Sequence, residues 1–71
     1  MIRVYNASMP INEYDDNKLR LSVYGLAYEE LKIKYPEYVV FSIREDLYSS
    51  TKTETRTFAI TIELLERDKI N

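Results

Sequence analysis

The chain has 71 residues, 45% of them hydrophobic, with ten Lys or Arg against twelve Asp or Glu and a formal charge of −2 at pH 7. That length holds one domain, residues 1–71, and the apolar content with seven tyrosines excludes a disordered chain, because burial on that scale offsets ordering entropy. Cysteine and histidine are both absent, which removes disulfides, Cys/His metal cages and every Ser–His or Cys–His catalytic arrangement.

Ile2 and Val4 alternate with Arg3 and Tyr5, so the N-terminus is expected to form a short strand with Ile2 and Val4 facing inward. Asn6-Ala7-Ser8-Met9-Pro10 is expected to break that strand, with Pro10 pushing Met9 toward an extended conformation. A loop over residues 11–15 then leads to Asp15 or Asp16, either of which fits a helix N-cap.

From Asp16 to about Lys34 the spacing predicts a helix. Val23, Tyr24, Ala27 and Leu31 line one stripe, with Tyr28 and Tyr35 on its flank. Asp16 precedes Arg20, and Glu30 precedes Lys34, by four residues in the favourable acid-first order. Acids gather at the start and Lys32 and Lys34 at the end, matching the helix dipole, and Pro36 supplies the stop. Gly25 costs up to about 1 kcal/mol relative to Ala and is read as a place where a strand approaches closely. A rival reading makes residues 18–24 a further strand and leaves a shorter helix over 26–35.

Two period-two stretches follow, Tyr38 to Leu47 and Thr57 to Leu65. Val39, Phe41, Ile43 and Leu47 fall on one face of the first, and Phe58, Ile60, Ile62 and Leu64 on one face of the second. The polar run from Ser49 to Arg56 joins them as a hairpin. The tail from Arg67 to Asn71 is polar and expected to fray. The fold predicted is α+β with the order β-α-β-β: one long helix packed on a sheet of three strands that contains an antiparallel hairpin. The rival is ββαββ with the shorter helix.

Few constellations suit chemistry. Glu13, Asp15 and Asp16 form the densest acidic cluster, but acids at a helix start are stabilised without any metal, and no calcium-loop spacing accompanies them. Glu29 and Glu30 point about 100° apart on a helix and do not converge. A single glycine excludes phosphate-cradling loops. The expectation is a non-enzymatic protein with no cofactor and no metal site.

If Val39, Phe41 and Ile43 face the helix, the opposite sheet face carries Arg3, Tyr5, Tyr38, Val40 and Arg44. Tyr and Arg are enriched at protein contacts, and the same set would stack single-stranded bases and meet phosphate. The acidic balance and the scatter of the basic residues disfavour nucleic acid. The hydroxyl-rich connector with Lys52 and Arg56 reads as an ordinary hairpin tip rather than a modification site. The function expected is therefore a protein–protein interaction module. Its core is thin for its length, so it is expected to associate with itself, as a homodimer for instance, through the outer sheet face or a strand edge. No apolar run is long enough to cross a bilayer, and Met-Ile-Arg-Val-Tyr-Asn lacks the parts of a signal peptide, so a cytoplasmic location is expected.

Overall fold

A computed structural model describes residues 1–69. Strand β1 spans Ile2–Pro10, helix α1 Asp16–Lys34, strand β2 Tyr38–Ser50 and strand β3 Thr55–Glu66. The sheet order is β1-β3-β2, with both outer strands antiparallel to β3. This is the expected α+β fold in the expected order. Short 3-10 turns follow at Ile11–Glu13 and Arg67–Lys69, the second taking the start of the tail; Ile70 and Asn71 lie outside the described residues.

Helix α1 forms where its caps and stripe dictate. Asp15 is extended (φ −135°, ψ 110°), and its Oδ1 accepts from the Lys18 N–H at 3.1 Å. Arg20 Nε donates to Asp16 Oδ2 at 2.8 Å one turn on. At the far end the Tyr35 N–H still reaches Leu31 O, and Pro36 prevents a further turn. The helix runs unbroken through residues 18–24, so the shorter version is not adopted. Leu19, Val23 and Ala27, four apart, are buried, and Leu31 and Tyr24 pack at their margin. Gly25 is exposed, and nothing lies within 4 Å of where a Cβ would stand, so no strand approaches it.

β3 is the central strand and carries the core: Phe58, Ile60, Ile62 and Leu64 are each at most 2% exposed. The expectation for this strand is met. For β1 the faces are the reverse of those expected. Arg3, Tyr5, Ala7 and Met9 stand opposite Ile62, Ile60, Phe58 and Arg56, on the helix side, while Ile2 and Val4 lie outward at 63% and 55% exposure. Register explains this. Residues directly opposite share a face, so the buried even row of β3 selects the odd row of β1, and the large Tyr5 ring fills more of the core than Val4 would.

β1 also continues to Pro10 instead of stopping at Tyr5. It is an edge strand, where a missing N–H is tolerated. The hairpin is longer than predicted as well, since the ladder runs to Ser50 opposite Thr55 and leaves only four residues for the turn. Glu54 closes that turn in the left-handed region, φ 54°.

β2 holds a second reversal. A β-bulge between Val40 and Ser42 shifts the register against β3. Tyr38 and Val40 stand opposite Glu66 and Leu64 on the helix side, and beyond the bulge Ile43, Glu45 and Leu47 continue that side. Val39 pairs with Leu65 on the outer side, and Phe41, the extra residue, is 63% exposed. An inserted residue changes the alternation, so Val39 and Phe41 do not share the face of Ile43.

The helix packs over β1 and β3 and scarcely meets β2. Its dimensions account for that. A helix is about 10 Å across and strands lie about 4.8 Å apart, so one helix covers two strands of three.

Candidate interaction surface

Because α1 stops short of β2, the helix side of that strand is only partly covered. On that side Val40, Ile43 and Leu47 are 44–48% exposed, and Phe41 at the bulge is 63% exposed, all on a strand whose outer edge has no neighbour among the described residues. Two contacts tether β2 to the helix. The Tyr24 hydroxyl donates to Glu45, and Arg20 Nη1 donates to Glu45 Oε1 at 3.0 Å while its plane lies over Phe58 at 4.6 Å. The Tyr24 bond, then Arg20, hold the Glu45 carboxyl below the usual carboxylate range, and the same bond pushes Tyr24 upward.

Where the helix ends, the strip widens into a groove of ≈ 370 Å³ lined by Tyr28, Leu31, Tyr35, Tyr38, Val40 and Leu64. Tyr35 and Tyr38 meet edge-on, with centroids 5.9 Å apart. The Tyr38 N–H donates to Tyr35 O at 3.1 Å, which fixes the tight turn that brings the two rings together. Lys32, Pro36 and Arg67 complete the lining, which apart from those two cations is aromatic and aliphatic and suited to apolar contact.

The five residues expected together on the outer face are divided. Arg44 is there, opposite Thr61, with Nε 3.3 Å from Asp46 Oδ2. Tyr38 and Val40 lie on the helix side, in the groove. Arg3 and Tyr5 are on the helix side of β1. The Arg3 guanidinium lies 5.4 Å above the Tyr35 ring and donates to both Glu30 oxygens at 3.3 Å. Tyr5 is 8% exposed and belongs to the core.

Tyr5 and Glu30 influence each other. The Tyr5 hydroxyl, then Arg3, draw the Glu30 carboxyl below its ordinary range, and burial, then Glu30, raise the tyrosine. The Tyr5 hydroxyl is nonetheless sealed with no hydrogen-bond partner among the described residues, as is Arg3 Nε.

The outer face mixes apolar and polar groups: Ile2 and Val4 of β1 and Tyr48 of β2 stand exposed beside small polar side chains. Its central row is Thr55, Thr57, Ala59, Thr61 and Glu63, with Ser8 Oγ bonded to Thr57 Oγ1 at 2.7 Å. The working residues that sequence reading missed are therefore Ile43, Glu45 and Leu47 as a wet strip rather than core. The available signal was the placement of Glu45 between two apolar residues on one face, which a sealed core would not accept unpaired.

Among the described residues no group of three or more acids could hold a metal ion, and no helix is long and apolar enough to cross a membrane. No protein-family model, curated protein or solved structure matches this chain.

Proposed function

We propose that this chain is a small non-enzymatic interaction module that engages protein, a second copy of itself included, through the edge and uncovered side of β2. One observation carries the reading: apolar Val40, Phe41, Ile43 and Leu47 stay 44–63% exposed on a strand with an open edge. Unpaired edges recruit strands, and an apolar row beside an edge gives such pairing affinity as well as direction. β2 is preferred to β1, the other edge strand, because α1 covers the helix side of β1 and leaves that of β2 largely bare. It is preferred to the outer face because exposed Ile2 and Val4 there adjoin a central row made mostly of threonine and alanine.

Asp16, Glu30 and Glu45 are drawn downward by their partners, the opposite of what a general acid at neutral pH needs, so these three suit structural ion pairing. Light scattering after size exclusion, with the purified protein as bait in parallel, tests the reading. Association or capture is expected, and Ile43→Asp is expected to abolish it while leaving the circular dichroism spectrum unchanged. A strict monomer that captures nothing, or binding indifferent to Ile43→Asp, would overturn the proposal. Salt-sensitive binding of a single-stranded oligonucleotide lost in Tyr38→Ala would favour nucleic acid instead.

A further inference from the structure

We infer that two copies of the chain pair antiparallel through β2 about a twofold axis at Glu45, making one continuous six-stranded sheet. The inference rests on the reading of β2 as the working edge and names both its occupant and its register. Four pairings define it: Glu45 opposite the second copy's Glu45, Arg44 opposite its Asp46, Ile43 opposite its Leu47, and Ser42 opposite its Tyr48.

The limits of the straight edge narrow the choice. The bulge between Val40 and Ser42 ends regular pairing on one side, and the turn after Ser50 ends it on the other. Directly opposed residues must share a face, so the axis passes through a residue and pairs positions an even number apart. An axis at Arg44 would oppose two guanidinium groups, and one at Asp46 two carboxylates. An axis at Ile43 meets the bulge after one residue on either side. An axis at Leu47 sets Arg44 against Ser50 and Asp46 against Tyr48. Only Glu45 brings Arg44 and Asp46 together, and symmetry does so twice.

The existing contacts suit that arrangement. Arg44 and Asp46 already lie 3.3 Å apart within one chain, with side chains 76% and 49% exposed, so either can turn to the second copy at little desolvation. Ile43 and Leu47, at 46% and 44% exposure, would pack across the axis on the helix side. The opposed Glu45 carboxylates are each held toward their own helix by the Tyr24 hydroxyl and by Arg20, whose charge is shared with Asp16, so their mutual repulsion is reduced. Charges on an edge strand serve in other folds to prevent pairing. Here the outer-face pair of Arg44 and Asp46 is complementary to its own reverse.

A charge swap and a thiol map test this. At fixed concentration, Arg44→Asp is expected to weaken the dimer at least tenfold by setting carboxylates against Asp46 at two places. Adding Asp46→Arg is expected to restore it. Because the chain contains no cysteine, introduced thiols are unique. Ser42→Cys mixed with Tyr48→Cys is expected to give a disulfide-linked heterodimer much faster than either variant links to itself, since opposed Cα atoms in such a ladder lie within disulfide reach. A dimer that ignores the swap, or that links through Ile43→Cys or Leu47→Cys alone, overturns the register and leaves the edge reading standing. A monomer at every concentration overturns self-pairing. The edge reading then falls too only if Ile43→Asp has no effect on protein capture.

Discussion

Ile62 and Ile43 face each other across the β2–β3 ladder on the same side of the sheet, yet one is 2% exposed and the other 46%. Only Ile62 lies beneath the helix. Removing one methylene from a sealed site costs about 0.5–1.5 kcal/mol, through lost transfer energy and the gap left behind. Ile62→Val should therefore lower the urea midpoint clearly. Ile43→Val should change it little in dilute protein, where water already reaches the side chain. Equal costs would mean that β2 is covered in the monomer.

The carboxylates set a pH window at the same scale. Asp16 is held low by Tyr14 and then Arg20, Glu30 by Tyr5 and then Arg3, and Glu45 by Tyr24 and then Arg20. The unfolded chain takes up these protons first as acid is added, so their stabilisation is present above the ordinary carboxylate values of about 4 and is lost as pH falls through the lower folded values. Tyr5, Tyr14 and Tyr24 are raised in the fold. Their stabilisation is full below the ordinary tyrosine value of about 10 and is lost as pH rises through the folded values. Denaturant midpoints measured across pH should thus fall at both extremes, and Glu45→Gln should make the acid limb shallower. An unchanged acid limb in that variant would show that Glu45 gains nothing from Tyr24 and Arg20.

At the scale of the element, α1 carries two separable terms. The Asp15 carboxylate satisfies the Lys18 N–H, one of the donors a helix start leaves free. Asp15→Ala should cost about 1 kcal/mol. Gly25 does the opposite, placing a flexible residue mid-helix where a methyl group would meet nothing. Gly25→Ala should stabilise by about 0.5–1 kcal/mol, raising the Tm by several degrees in a domain this small. A fall in Tm would mean that something packs on that face.

These local features are also why α1 and the hairpin were legible in the sequence. Caps, the four-residue stripe and period-two alternation are written in neighbouring residues, and the helix bounds Asp16 to Lys34 follow from Asp15 and Pro36 alone. Facing was not legible. Which row of β1 turns inward depends on its register against β3, fixed by contacts more than fifty residues apart such as Tyr5 with Ile60. The bulge at Val40 and Ser42 leaves no signature in a run of alternating apolar residues, and it moved Tyr38 and Val40 to the helix side. Strand order had no local signal either, so nothing marked β2 as the strand the helix leaves bare.

At the scale of the whole molecule, the sheet has one covered side, and that cover reaches two strands of three. The molecule is elongated, 46 × 17 × 16 Å, a shape with much surface for its volume. Such a chain gains stability from any partner that binds the folded form alone. If that partner is a second copy, stability becomes a property of concentration, because association draws on folded protein and not on the unfolded chain. The gain grows logarithmically, reaching about 2.7 kcal/mol when the partner exceeds its Kd a hundredfold. For a domain of 60–100 residues each kcal/mol moves the Tm by about 4–8 °C. Thermal unfolding followed over a hundredfold range of protein concentration should therefore show a Tm that climbs by several degrees above the Kd. Arg44→Asp should flatten that climb without altering the dilute limit by more than a surface charge does, about 0.5 kcal/mol. A wild-type Tm independent of concentration would mean that the bare strip of β2 contributes nothing to holding copies of this chain together.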